Sequence, residues 1–140
     1  MNPFTPAETS PRTSLALLLV RAIVGVGFIF HGLMKVPYPT MWMGPHGFAP
    51  HWLQGIVTFV ETIGGACIIC GLLTPLFAFL LSIDMIVAIF KFHIPAGGHF
   101  VGGRAAFDVP LTYLIVMIAT LVGGPGLFSL DAALWRRRPR

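Results

Sequence analysis

The stretch RAIVGVGFIFHGLMKV, residues 21–36, lies inside a long apolar run, yet it opens on Arg21 and carries Lys35 one residue from its end. A charge inside a bilayer core is expensive, so the arginine needs a physical reason. On a helix, Arg21, Gly25, Phe28, Gly32 and Lys35 follow at spacings of four, three, four and three, which places them on one face. Small residues on that face let a neighbouring helix come close. Arg21 therefore points into a helix bundle and away from lipid, and its partners should be acidic.

Composition agrees with a membrane setting. Of 140 residues, 56% are hydrophobic and only 10% charged, against about 25% charged in an ordinary soluble domain. A soluble chain of this size could not hide so much apolar surface. The surplus has to face lipid, and the length allows one domain, residues 1–140. Four spans are expected, at about 15–36, 52–73, 76–94 and 109–122, the last stopped by the GGPG at 123–126. With no water in the hydrocarbon core these must be helices. No small-residue cleavage site follows the first span, so it reads as retained and not as a signal peptide. The expected fold is all-α: a four-transmembrane-helix bundle with a short C-terminal interfacial helix. Ser129 would cap that helix and Trp135 would sit at headgroup level.

Charge sets the orientation. Arg12 and the four arginines at 136–138 and 140 stand at the end with both termini, against Lys35, Lys91 and Arg104 at the other. The positive-inside rule places both termini in the cytoplasm. The pI near 9.7 is thereby accounted for by topology anchors, with no nucleic-acid partner. In this orientation His31, His46, His51, His93 and His99 all fall on or near the outer face, beside two long loops rich in glycine and aromatic residues. Such loops are where sites are found. No histidine pair has tight metal-ligand spacing, so no metal is expected. Cys67 and Cys70 lie three apart in mid-helix, which suits small packing residues better than a disulfide.

Two acids can meet Arg21: Glu61 in the second span and Asp84 in the third. At 1.5 Å per residue, Arg21 stands roughly 10 Å from the cytoplasmic end, Asp84 roughly 12 Å and Glu61 roughly 18 Å. Arg21, Glu61 and Asp84 are thus expected to form an intramembrane charge cluster. Above it, a ligand cavity is expected among His31, Lys35, Glu61, Lys91 and His93. Glu61, the acid close below, would tune these groups or relay a proton inward. Lys91, which shares a helical face with Asp84, should face the centre, and His93 only if the helix is ending there.

The chain resembles the DoxX family of small four-helix bacterial membrane proteins, from Arg21 to Asp131. The resemblance rests on four blocks in order: Arg21, Gly25, Gly32 and Lys35 with His31; Glu61, Gly64 and Gly65 followed by Gly71, Thr74 and Pro75; Met85 and Ala88 leading to His93; and Gly124, Pro125, Gly126, Ser129 and Asp131. It implies a bacterial inner-membrane protein acting as a membrane subunit of a quinone- or thiol/sulfur-linked oxidoreductase system. A quinone is then the candidate cofactor and a redox protein the candidate partner, besides the lipid bilayer; a homo-oligomer is left open. The chain itself carries no dinucleotide fingerprint and no c-type haem motif. The other reading is a non-catalytic module, a small-molecule carrier or an assembly factor, in which the charges only hold the bundle.

Overall fold

The computed structural model describes residues 10–135; Pro3, Pro6 and the arginines at 136–138 and 140 lie outside the described residues. Within them run α1 (Pro11–Leu33), α2 (His51–Cys70), α3 (Thr74–Ala88), α4 (Asp108–Gly123) and the short α5 (Leu130–Trp135). A π-helical turn, Ile89–His93, extends α3 into one span of 20 residues.

Local chemistry sets the boundaries. Ser10 accepts the Thr13 amide at 3.2 Å and Pro11 opens α1, where a missing N–H costs nothing. α2 ends on Gly71 in the left-handed region (φ 67), with the Leu72 amide reaching back to the Cys67 carbonyl at 2.9 Å. That is a Schellman ending. α3 starts at once on Thr74–Pro75, so only residues 71–73 separate the two helices. Gly124 (φ 76) ends α4.

The four long helices alternate in direction. α1 packs most extensively on α2, and α3 on α4, with α2 against α3 and α1 against α4 closing the bundle. Phe28, Ile68, Leu81 and Met117 fill the core with no exposed surface. The outer faces carry Ile23, Phe30, Phe79 and Ile115, all more than half exposed. That is an inverted surface for water and a matched one for lipid. Thr58, Thr62, Ser82 and Thr120 each donate to the carbonyl four residues earlier, so these hydroxyls are satisfied within their own helices.

The small-residue face of α1 works as expected. Gly25 meets Gly65 of α2 so closely that a Cβ on either would lie 2.7 Å from the other's carbonyl oxygen. Gly65→Leu is expected to push α1 and α2 apart and destabilise the bundle by about 2 kcal/mol or more, the scale of core overpacking. An unchanged midpoint in an SDS-titration unfolding experiment would refute this contact.

Arg21 corrects one expectation. It is fully buried but joins neither Glu61 nor Asp84. Its Nη2 donates to the Phe128 carbonyl at 2.7 Å, and Nη1 lies against Gly71 at the end of α2. The reason is side-chain direction. Helical side chains lean toward the helix N-terminus, so this long side chain carries its head down to the end of the bundle where α1 begins. There residues 124–129 fold back across the bundle. Ser14 accepts the Leu127 amide at 3.1 Å, and Ser129 caps α5 by accepting the Ala132 amide at 3.0 Å. The Asp131 carboxylate accepts the Leu73 and Thr74 amides, each at 2.8 Å, capping α3. Arg21 and Asp131 also feel each other's charge. The G-P-G-x2-S-x-D ending is thus a clasp over the α2–α3 turn.

Candidate functional site

The opposite half of the bundle is built differently. After α1 the chain coils through successive i→i+3 turns, Lys35 to Gly32, Tyr38 to Lys35 and Met41 to Tyr38. Gln54 then fixes the loop from within α2. Its Oε1 accepts the Met43 amide at 3.1 Å, its Nε2 donates to the Ala49 carbonyl at 2.9 Å, and its own carbonyl accepts Trp42 Nε1 at 3.2 Å. Thr58 Oγ1 adds a bond to the Pro39 carbonyl at 3.1 Å. These four bonds hold the loop as a roof over the end of the bundle.

Under that roof lies a cavity of about 430 Å³ to which all four long helices contribute. α1 supplies His31 and the turn just after it Lys35, α2 supplies Glu61, and α3 with its π turn supplies Asp84 and His93. Tyr113 of α4 and Trp42 and Phe92 form aromatic walls. Lys35 Nζ pairs with Glu61 Oε2 at 2.5 Å, the lysine side chain 18% and the glutamate 4% exposed. The same ammonium lies 4.3 Å from the centre of the Trp42 ring, a favourable cation–π position. Asp84 faces both Glu61 and Lys35, and its carboxyl group lies within hydrogen-bonding reach of the Glu61 carboxylate. Its Oδ2 is buried with no hydrogen-bond partner among the described residues. A buried carboxylate oxygen left bare is costly, and such a group invites a donor from a ligand.

The structure brings together four of the five expected ligand residues, and it replaces the fifth. His31, Lys35, Glu61 and His93 line the cavity; Lys91 is exposed and does not. The π turn is the reason. Its i→i+5 bond, from the Ile94 amide to the Ile89 carbonyl at 2.9 Å, adds about one residue to the turn and rotates everything beyond it. His93 swings inward and Lys91 outward. His93 Nδ1 donates to the Ala105 carbonyl at 3.1 Å, which leaves Nε2 as the ring nitrogen available to the cavity. Asp84, expected beside Arg21, belongs to this site instead. Tyr113, Trp42 and Phe92 were not foreseen. The Tyr113 ring stands edge-on to His31 (6.4 Å) and to Phe28 (5.2 Å), and Trp42 stacks on Phe92 at 6.1 Å. Tyr113 is the lone tyrosine of the four spans, a signal that was there to be read. His46, His51 and His99 stand away from the cavity walls.

Chemically the cavity offers one paired cation, a carboxylate with an unused oxygen, two imidazoles and aromatic faces. That set can hydrogen-bond a small polar head at both acceptor and donor positions.

Comparison with known proteins agrees with the fold. The DoxX family model matches residues 16–94, from α1 to just past the π turn. An "Uncharacterized membrane protein" of Mycobacterium tuberculosis is 33% identical over 136 residues, covering 87% of this chain and 83% of that one. An "Uncharacterized protein" of Haemophilus influenzae is 28% identical over 123 residues, covering 86% and 92%. A Bacillus subtilis protein named "Putative oxidoreductase CatD" is 29% identical over 125 residues, covering 87% and 89%. No solved structure gives a significant match. The matched span holds the Arg21–Lys35 face, the Glu61 block and the π turn that builds the cavity, and the chain belongs to the DoxX family.

Proposed function

We propose that this protein is a membrane subunit of a redox system and that its loop-end cavity binds a quinone-like ligand. The observation that carries the reading is the bare, buried Oδ2 of Asp84 on the wall of a cavity of about 430 Å³, within the size range of small-molecule sites. The name of the Bacillus subtilis relative supports a redox role.

The residues fit such a head group. A quinone supplies two-electron chemistry coupled to two protons. Lys35 is placed to donate to a carbonyl, His93 Nε2 to accept or donate, and Asp84 to hold a proton beside the head. Glu61 keeps Lys35 in place. Electrons would come from a partner protein. We place the protein in the bacterial inner membrane with both termini cytoplasmic, from the excess of arginine at that end. A reporter fused after residue 140 should then report a cytoplasmic C-terminus, and an external signal would reverse the orientation.

Trp42 gives the direct test. A short-chain benzoquinone titrated into the protein in nanodiscs should quench its fluorescence saturably, in a Trp52→Phe/Trp135→Phe background that leaves Trp42 alone. Asp84→Asn should change the affinity by tenfold or more. Linear, unsaturable quenching equal in both proteins would refute a specific site.

A further inference from the structure

A second, apolar hollow of about 230 Å³ lies between α2 and α3, on the flank of the bundle. Its walls come from Val57 and Val60 of α2, Leu80 and Ile83 of α3, and Phe48 of the first loop. It shares Trp42, Asp84 and Phe92 with the polar cavity. The stacked Trp42–Phe92 pair therefore stands at the border of the two spaces, with Asp84 common to both. The other polar side chain of the groove, Gln54, is fully engaged at both ends of its amide. Asp84 Oδ2 is thus the one buried side-chain oxygen of the groove left without a partner among the described residues.

We propose that the ligand of the polar cavity is lipid-borne: a small oxygen-bearing ring head with a linear hydrocarbon tail, which reaches the site sideways between α2 and α3 and leaves its tail in this groove. The inference rests on the reading of the polar cavity as a ligand site and adds the class of ligand and its route. Three features carry it. The groove is lined almost wholly with carbon, and its Gln54 amide is already engaged, so it suits a chain of methylene or isoprene units and not a polar solute. It adjoins the polar cavity along three shared side chains, so a head beside Asp84 and a tail in the groove can belong to one molecule. The loop above it is pinned by the three Gln54 bonds and the Thr58 bond to Pro39, and the flank below it faces lipid, where Ile56 and Ile83 are exposed. A preformed, apolar groove gives up little ordering entropy when the tail settles.

Filling the groove separates head from tail. The full chain in nanodiscs is titrated with two probes, a methyl-substituted benzoquinone without a tail and the same ring with a decyl chain, each at matched fraction in lipid. Val57→Phe places a ring in the groove without touching the polar cavity; Ile83→Phe, from the opposite wall, serves if the first variant fails to fold. The decyl probe should bind tenfold or more weakly to the filled variant, and the tailless probe within twofold of wild type. Equal weakening of both probes, or none of either, would overturn the groove assignment while leaving the cavity a ligand site. If neither probe binds wild-type protein, the cavity reading itself fails and the groove assignment falls with it.

Discussion

Asp131→Ala should lower the stability of the bundle by about 3–5 kcal/mol, the scale on which a buried charge loses its partner. Asp131 is fully buried and receives two backbone amides, Leu73 and Thr74, at 2.8 Å each. Hydrogen bonds to a charged acceptor contribute about 1.5–3 kcal/mol apiece. Leu73 carries a positive φ of 49, a conformation that costs a non-glycine residue about 1 kcal/mol or more. The carboxylate holds that turn in place. Its loss also leaves the buried guanidinium of Arg21 with the Phe128 carbonyl and the end of α2 for company. The variant's midpoint in SDS titration, and the rate of proteolysis after α4, would read the effect. A loss below about 1 kcal/mol would mean that the C-terminal arm is an ornament to the fold and not its clasp.

How far the sequence foretold this arrangement depends on the scale of the question. The face from Arg21 to Lys35 was legible because helical periodicity and small residues both mark it, and Arg21, Gly25, Phe28 and Gly32 are all buried. The four helices followed from hydropathy and from punctuation at Gly71, Pro75 and Gly124. What periodicity could not show was vertical reach. Depth counted from Cα positions placed Arg21 beside two acids, but its side chain spans more than a helical turn and turned the other way. Nor could an ideal helix anticipate the π turn, which exchanged Lys91 for His93. The residues Ile89–His93 carry no glycine or proline to announce it. Trp42 escaped because its position depends on a loop fixed by Gln54, a long-range contact with no local signature. Glu61 was placed in the cavity by its depth, and Lys35 by its face; their mutual pairing needed three dimensions.

The second large effect belongs to that pair. Lys35→Met leaves Glu61, whose side chain is 4% exposed, without its cation. It should destabilise by about 2–4 kcal/mol, below the full cost of orphaning a buried charge because the lysine side chain is itself 18% exposed. Removing both charges is a different experiment. Lys35→Met/Glu61→Leu replaces a buried ion pair with apolar groups of similar size, which is often neutral or stabilising. The double variant should therefore regain most or all of the stability lost by the single one. A double variant as unstable as Lys35→Met would show that the two side chains serve the fold through contacts other than their pairing.

That double variant also separates fold from function. Wild-type protein and Lys35→Met/Glu61→Leu, purified alike from the same membranes in mild detergent, can be extracted with organic solvent and the lipid-soluble quinones counted by mass spectrometry against protein. A site for a quinone-like head predicts enrichment toward one molecule per wild-type chain and a fall to the membrane background in the folded double variant. Equal quinone content in the two proteins, or a wild-type content no higher than the surrounding lipid, would contradict it.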